Sequence, residues 1–264
     1  MSRIKNKFAQ LKKDGKKALI TFVTAGDPDI DATKRFVRKM EAEGADIIEL
    51  GVPYSDPIAE GPVIQAANTR ALRNDLKIKD IMIMAEELRE DVKVPLLYLL
   101  YYNCIIQYGY DRFFSDCKKS GIDGLIIPDL PYEEKNEIAK YSQEYEIDII
   151  TMVTPTSKER IEKLTKDSKG FLYCVSSLGV TGMRGNFSTD FEEFFSIINK
   201  YTNIPTAIGF GISSAEQIQY LKKYCDGVII GSAIVKKIAE SKNVEEAEKR
   251  LEDIIRSYRK ALDK

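Results

Sequence analysis

Eight short runs of apolar, β-favouring residues recur along the chain, with segments of helical periodicity between them. The runs are "ALITFVT" (18–24), "DIIEL" (46–50), "PLLYLLYY" (95–102) and "GLIIP" (124–128), then "DIITMV" (148–153), "FLYCV" (171–175), "PTAIGF" (205–210) and "GVIIG" (227–231). Each is bounded by turn residues and apolar on both faces, the pattern of a strand buried in a parallel sheet. Between them, "IKDIMIMAEELRE" (78–90) and "VEEAEKRLEDIIRSYRKAL" (244–262) set apolar residues on one side and charges on the other. Thr156-x-x-Glu159, Thr189-x-x-Glu192 and Ser213-x-x-Glu216 read as capping boxes at helix starts. "IKNKFAQLKK" (4–13) reads as one more helix ahead of the first strand. Eight such units in 264 residues predict a (β/α)8 barrel with an extra N-terminal helix, an open doubly wound sheet being the competing arrangement. No linker or low-complexity tract divides the chain, so residues 1–264 are expected to form a single barrel domain.

Composition narrows the chemistry. Lys+Arg 40 against Asp+Glu 41 gives a net charge of -1, which provides no electrostatic footprint for nucleic acid or an anionic membrane. No apolar run approaches the ~18 residues of a membrane span, and the basic start lacks the apolar segment of a signal peptide. A soluble cytoplasmic protein is expected. Cys104, Cys117, Cys174 and Cys225 are scattered, form no metal or redox motif, and read as small buried thiols. The chain has no histidine, which removes Ser-His and Cys-His nucleophilic pairs and the commonest metal ligand. Acid–base chemistry must come from carboxylates, tyrosines, lysines or thiols, and no metal site is expected. None of the eight runs contains a lysine, which argues against a Schiff-base aldolase.

In a barrel the active site lies where strands end and loops begin. "AIGFGISS" (207–214) and "IIGSAIV" (229–235) run from a strand through Gly211 or Gly231 into a helix start. That arrangement lets a backbone approach an anion and offers it unpaired N–H groups, so a phosphate site is expected there. "SSLGVTGMRGNFS" (176–188), with Thr181, Gly182 and Arg184, suits a mobile lid near that anion or an ordinary connection. Glu49 ends the second run, where burial at the mouth would raise its pKa and let it carry a proton near neutral pH. Glu60 follows eleven residues later, after a loop stiffened by proline and glycine, and returns over the same mouth. Asp56 suits a turn cap. The tyrosines of "LYLLYYN" (97–103) and Tyr173 suit core packing or a flat aromatic pocket.

In this order, "FVTAGDP" (22–28), "ELGVPYSDPIAEGPVIQ" (49–65), "YYN" (101–103), "GVTGMR" (179–184), "IGFGIS" (208–213) and "GSAIV" (231–235) resemble the tryptophan synthase α-subunit family over nearly the whole chain. The resemblance implies a lyase of tryptophan biosynthesis. Such a barrel cleaves indole-3-glycerol phosphate to indole and glyceraldehyde 3-phosphate, with no cofactor of its own. It implies an α2β2 complex in which a pyridoxal-phosphate β subunit takes up the indole. By the same resemblance, Glu49 is the acid–base glutamate and Glu60 faces the indole N–H. Phe22, Leu100 and Tyr102 would line the indole pocket, and Tyr173 would lie near substrate. Gly182, Gly211, Gly231 and Ser232 would hold phosphate, and Thr181 is the lid threonine.

Two positions depart from the family pattern. Cys104 stands where proline is usual, and Glu60 stands where the family has aspartate. The second keeps the charge but adds a methylene, and ~1 Å of displacement can cost ~100-fold in rate. Two other functions therefore stay open in the sequence: a weakly active subunit that mainly binds and activates its β partner, and another phosphate-binding barrel enzyme such as a sugar-phosphate isomerase.

Overall fold

A computed structural model of the chain describes residues 2–175, 190–209 and 211–264. Helix α1 (Arg3–Lys13) precedes strand β1 (Ala18–Thr24), and α2 (Ile30–Ala42) links β1 to β2 (Ile47–Gly51). Two helices, α3 (Pro62–Leu72) and α4 (Ile78–Leu88), lead to β3 (Leu96–Leu99). Two more, α5 (Tyr102–Tyr108) and α6 (Tyr110–Lys119), lead to β4 (Gly124–Ile126). Then α7 (Lys135–Glu144) precedes β5 (Asp148–Val153), α8 (Ile161–Thr165) precedes β6 (Leu172–Val175), and α9 (Phe191–Tyr201) precedes β7 (Thr206–Gly209). The last elements are α10 (Ala215–Leu221), β8 (Gly227–Ile230), α11 (Ser232–Ala239) and α12 (Val244–Asp263).

Each strand pairs in parallel with its neighbours in chain order, and β8 returns to β1 through Ala18↔Gly227 and Leu19↔Val228, closing an eight-stranded barrel. That closure excludes the open sheet. All eight apolar runs are strands, most of them one to four residues shorter than the run. The largest difference is at 95–102, where only Leu96–Leu99 is strand and Tyr102 already starts α5. The three capping boxes are displaced. The 3-10 turn Pro155–Arg160 is capped by Thr154 with Ser157, α9 by Asp190 on Glu193 N, and α10 by Ser214 with Gln217. Thr156 and Ser213 sit one or two residues away from the position whose side chain reaches the free N–H, and Thr189 lies outside the described residues.

Alternation along the strands sorts the core into two layers. On β1, Ala18, Ile20 and Phe22 point into the barrel, while Leu19 and Val23 pack outward against the helices. On β2, Ile47 points inward, and Ile48 and Leu50 point outward. The interior cluster reaches down to Ile4, Phe8 and Leu11, one apolar stripe of α1, so the extra helix closes the bottom of the barrel. Phe8 meets Phe171 there at 5.6 Å between ring centroids. Helix α12 completes the outer ring. Its Leu251, Ile255, Tyr258 and Leu262 are buried at helical spacing, and Asn243 caps its start by accepting Glu246 N–H. Cys117, Cys174 and Cys225 are buried free thiols, and Cys104 is half-buried. Among the described residues no helix is long and apolar enough to cross a membrane.

Candidate active site

The bottom of the barrel is plugged and the top is open. At the top, Phe22, Glu49 and Tyr173 rise from β1, β2 and β6, and Leu99 and Ile229 from β3 and β8. Ala59, Glu60 and Ile64 come over from the β2–α3 connection and α3. Gly211, Ile212, Gly231 and Ser232 follow β7 and β8, and Pro128 and Met152 complete the wall. These groups enclose about 580 Å³ of space, counted out to the open mouth. Gly209 belongs to the same design, because a Cβ there would lie 2.7 Å from the Tyr173 hydroxyl and drive that ring from its place.

Glu49 faces this space in an unusual condition. It is 1 % exposed, and its Oε1 has no hydrogen-bond partner among the described residues. Burial pushes its pKa up to about 8, with no cation or donor among the described residues to offset the lost hydration. Near neutral pH the group is therefore mostly a neutral acid that can give up its proton and take it back. Tyr173 lies close enough to feel the Glu49 charge. Its phenol is pushed far above the ordinary value, first by burial and then by that charge, so it stays protonated.

Glu60 is a different carboxylate. It is 5 % exposed, and burial raises its pKa, but a hydrogen bond from Tyr101 and backbone N–H groups of the loop work the other way. The connection carrying it is held at several points. Val52 N–H donates to Leu99 O at 2.9 Å, Ala59 N–H donates to the Tyr101 hydroxyl at 2.9 Å, and Gln65 Nε2 donates to Glu60 O at 2.8 Å. Tyr54 stacks on Tyr101 with centroids 4.8 Å apart.

Phe22, Glu49, Glu60, Tyr173, Gly211, Gly231 and Ser232, all named from the sequence, thus line one cavity. Leu100 and Tyr102 do not. Side chains alternate along β3 and its extension, so Leu97 and Leu99 face inward, whereas Leu96, Tyr98 and Leu100 pack among the helices. Tyr102 turns away to the α5–α7 side, its hydroxyl 2.9 Å from both Tyr110 Oη and Glu137 Oε2. Leu99 lines the cavity in place of Leu100, and Tyr101, not Tyr102, touches the site, through its hydroxyl bond to Glu60. The signal that locates Leu99 is the two-residue period itself, counted inward from Leu97. Thr181, Gly182 and Arg184 lie outside the described residues.

The two glycine connections also differ from each other. After β7, Gly211 adopts φ +81°, the left-handed region, but the Ser213 and Ser214 N–H groups are already taken by Gln217 Oε1 at 2.8 and 3.2 Å. After β8, Gly231 leaves α11 with no side-chain cap. Gly231 and Ser232 line the cavity at the start of α11, so of the two helix starts this one is the less capped. Asp56 is exposed and accepts the Ser55 hydroxyl rather than a backbone N–H. Pro53 is buried, and the protruding apolar group of the loop is Ile58, 73 % exposed. Among the described residues no group of three His, Cys, Asp or Glu side chains is placed to hold a metal.

A family model described as "Tryptophan synthase alpha chain" matches residues 8–263. The tryptophan synthase alpha chain of Caldanaerobacter subterraneus subsp. tengcongensis is 52 % identical over 262 residues, 99 % of this chain and all of that one. That of Clostridium kluyveri is 44 % identical over 263 residues, the full length of both. Among solved structures, Mycobacterium tuberculosis tryptophan synthase superposes with a TM-score of 0.90 at 32 % identity, over 99 % of this chain and 98 % of that one. The Legionella pneumophila subsp. pneumophila alpha chain gives 0.88 at 32 % identity, over 100 % and 98 %.

Proposed function

The chain belongs to the tryptophan synthase alpha chain family, a family of lyase subunits in tryptophan biosynthesis, and on that premise we propose that Glu49 and Glu60 carry out its cleavage of indole-3-glycerol phosphate. The observation that supports this reading is the Glu49 carboxyl, buried, with Oε1 unpartnered among the described residues, and raised to about 8 over an apolar cavity. A neutral acid there protonates the ring carbon that bears the glycerol chain. Positive charge then spreads to the ring nitrogen, where the Glu60 carboxylate receives it. Glu49, now ionised, takes the proton from the hydroxyl on the adjacent side-chain carbon. The carbon–carbon bond breaks, its electrons restore the indole ring, and the aldehyde of glyceraldehyde 3-phosphate forms. One proton is given and one is taken, so Glu49 ends as it began.

On this reading the whole chain acts as one domain. Phe22, Leu99, Ile64 and Tyr173 hold the flat indole ring, and the first turn of α11 with Gly211 receives the phosphate. Thr181 and Gly182 belong to the lid by resemblance. The face bearing Asp56 and Ile58 meets a β subunit in an α2β2 assembly, and pyridoxal phosphate belongs to that β subunit. The test is indole release from indole-3-glycerol phosphate by the isolated chain and with β subunit. Glu49→Gln should lower it by at least the ~100-fold typical of general acid–base catalysis. If that variant keeps wild-type turnover, the assignment fails. If β subunit is activated normally while the wild-type chain releases no indole under any condition, the chain is the binding and activating subunit instead.

A further inference from the structure

Tyr101 sits at the N-cap of α5, 3 % exposed, with its ring held against Tyr54. Its hydroxyl accepts the Ala59 N–H at 2.9 Å and donates to Glu60 Oε2. A phenol has one proton to give. With the Ala59 N–H occupying its acceptor side, that proton points at the carboxylate. The bond is buried and charge-assisted, the strong kind. It ties the end of the Glu60 side chain to a rigid ring on another element, at the position where this chain has one methylene more than the aspartate of the family pattern.

We propose that Tyr101 is a positioning residue for Glu60: its hydroxyl draws the longer side chain back to the β3–α5 corner and fixes where the carboxylate meets the substrate. This rests on the lyase reading above and deepens it. The added methylene would otherwise carry the carboxylate ~1 Å too far into the pocket, a displacement able to cost ~100-fold. Pulled back onto Tyr101, the glutamate recovers the reach of the shorter acid. The same bond favours the ionised form, opposing the burial that raises the Glu60 pKa. The other titratable groups facing Glu60 are Asp129 beyond β4, whose charge also raises it, and Glu49 and Tyr173 across the cavity. None of them supplies a second side-chain donor in the described residues, so Tyr101 is the side chain that keeps Glu60 an acceptor.

The experiment is the pH profile of kcat for indole release by the full chain with β subunit, for the wild type and Tyr101→Phe, each also in a Glu60→Asp background. Phenylalanine keeps the ring stacked on Tyr54 and removes only the hydroxyl. Losing the donor moves the Glu60 pKa further up, so the acid limb should shift to higher pH by about one unit, the scale of one charge-assisted bond. Turnover at the optimum should fall by about tenfold with KM changing little, as expected of a misplaced rather than a missing group. In the Glu60→Asp background, where the shorter side chain no longer reaches the phenol, Tyr101→Phe should cost less than about twofold. An unshifted acid limb, or the same fold-loss in both backgrounds, would overturn the proposal even if Tyr101→Phe lowered thermal stability. No release by the wild type would instead remove the assigned reaction, and this inference with it.

Discussion

Glu49→Gln should stabilise the chain while inactivating it, and the gap in stability should depend on pH. In the unfolded chain Glu49 ionises near the ordinary 4.5, and in the folded chain burial holds it protonated to about 8. Between those two values the folded state binds one more proton than the unfolded state. Stability contributed by this group is therefore complete below pH ~4.5, declines as pH rises, and is lost above pH ~8. A shift of this size corresponds to roughly 5 kcal/mol at 1.36 kcal/mol per unit. Relaxation and water entry reduce such figures in real interiors, so about 2 kcal/mol is the difference to look for. Glutamine never ionises, so the variant escapes the decline. Its advantage over the wild type should be small at pH 5 and grow through pH 8. For a chain of this length that means a gain of about 4–8 °C in Tm at pH 8. Urea or thermal unfolding followed by circular dichroism at pH 5, 6.5 and 8 measures it, with indole release recorded on the same samples. If the wild type and Glu49→Gln lose stability in parallel across that range, Glu49 is solvated or paired in the folded chain. The acid role derived from its burial would then fall with it.

Gly211 combines a left-handed backbone with a place in the cavity wall. Gly211→Ala should raise KM modestly through strain, and Gly211→Asp should raise it at least about tenfold more by setting a charge within a few ångströms of the phosphate. Equal KM values in the two variants would place the phosphate elsewhere. Ile58→Asp, on an exposed apolar side chain, should weaken activation by β subunit while leaving unassisted indole release within about twofold; Asp56→Ala should act the same way but less strongly. A parallel loss in both assays would assign the loop to the fold instead. Glu60→Gln, which retains shape but not charge, should lose about 100-fold or more in indole release, and full activity with β subunit present would remove Glu60 from the reaction.

The barrel was legible because eight buried strands must each read as apolar on both faces, and few other folds ask for that pattern eight times. Glu49 was legible for the same reason. A carboxylate among Ile47, Ile48 and Leu50 is costly unless it has a task. Facing was harder to read at the end of β3, where "LYLLYY" offers an aromatic or a leucine at every position and composition cannot distinguish in from out. Only the register does: Leu97 opposes Glu49 on β2 and Gly124 on β4, which fixes Leu99 on the inner side. The capping residues were misplaced on similar grounds. "TPTSKER", "STDFEE" and "ISSAEQ" each contain more than one residue able to cap, and the pattern alone does not choose between them. Ile58 was not legible, because the sequence shows a stiff loop while exposure depends on which way that loop is turned.

The end of β2 and the loop at 52–61 bring three acids to one end of the barrel, and the structure gives each different surroundings. Glu49 Oε1 has no donor among the described residues, and burial drives the group toward its neutral form. Glu60, eleven residues on and almost as buried, is also raised by burial, but the Tyr101 hydroxyl and backbone N–H groups draw it back toward its anion. Asp56 stays in water. Burial raises both carboxyls, but only Glu60 has donors that oppose it, and that difference suits the proposed pairing of an acid with a cation-stabilising acceptor in one cavity. The difference does not come from the two residues being chemically different, since both are glutamates. It comes from β2 placing one of them inside a dry barrel end and the loop returning the other against a tyrosine. A change that gave Glu49 a donor, or took the donor from Glu60, would make the two surroundings alike and leave both carboxyls competing for the same role.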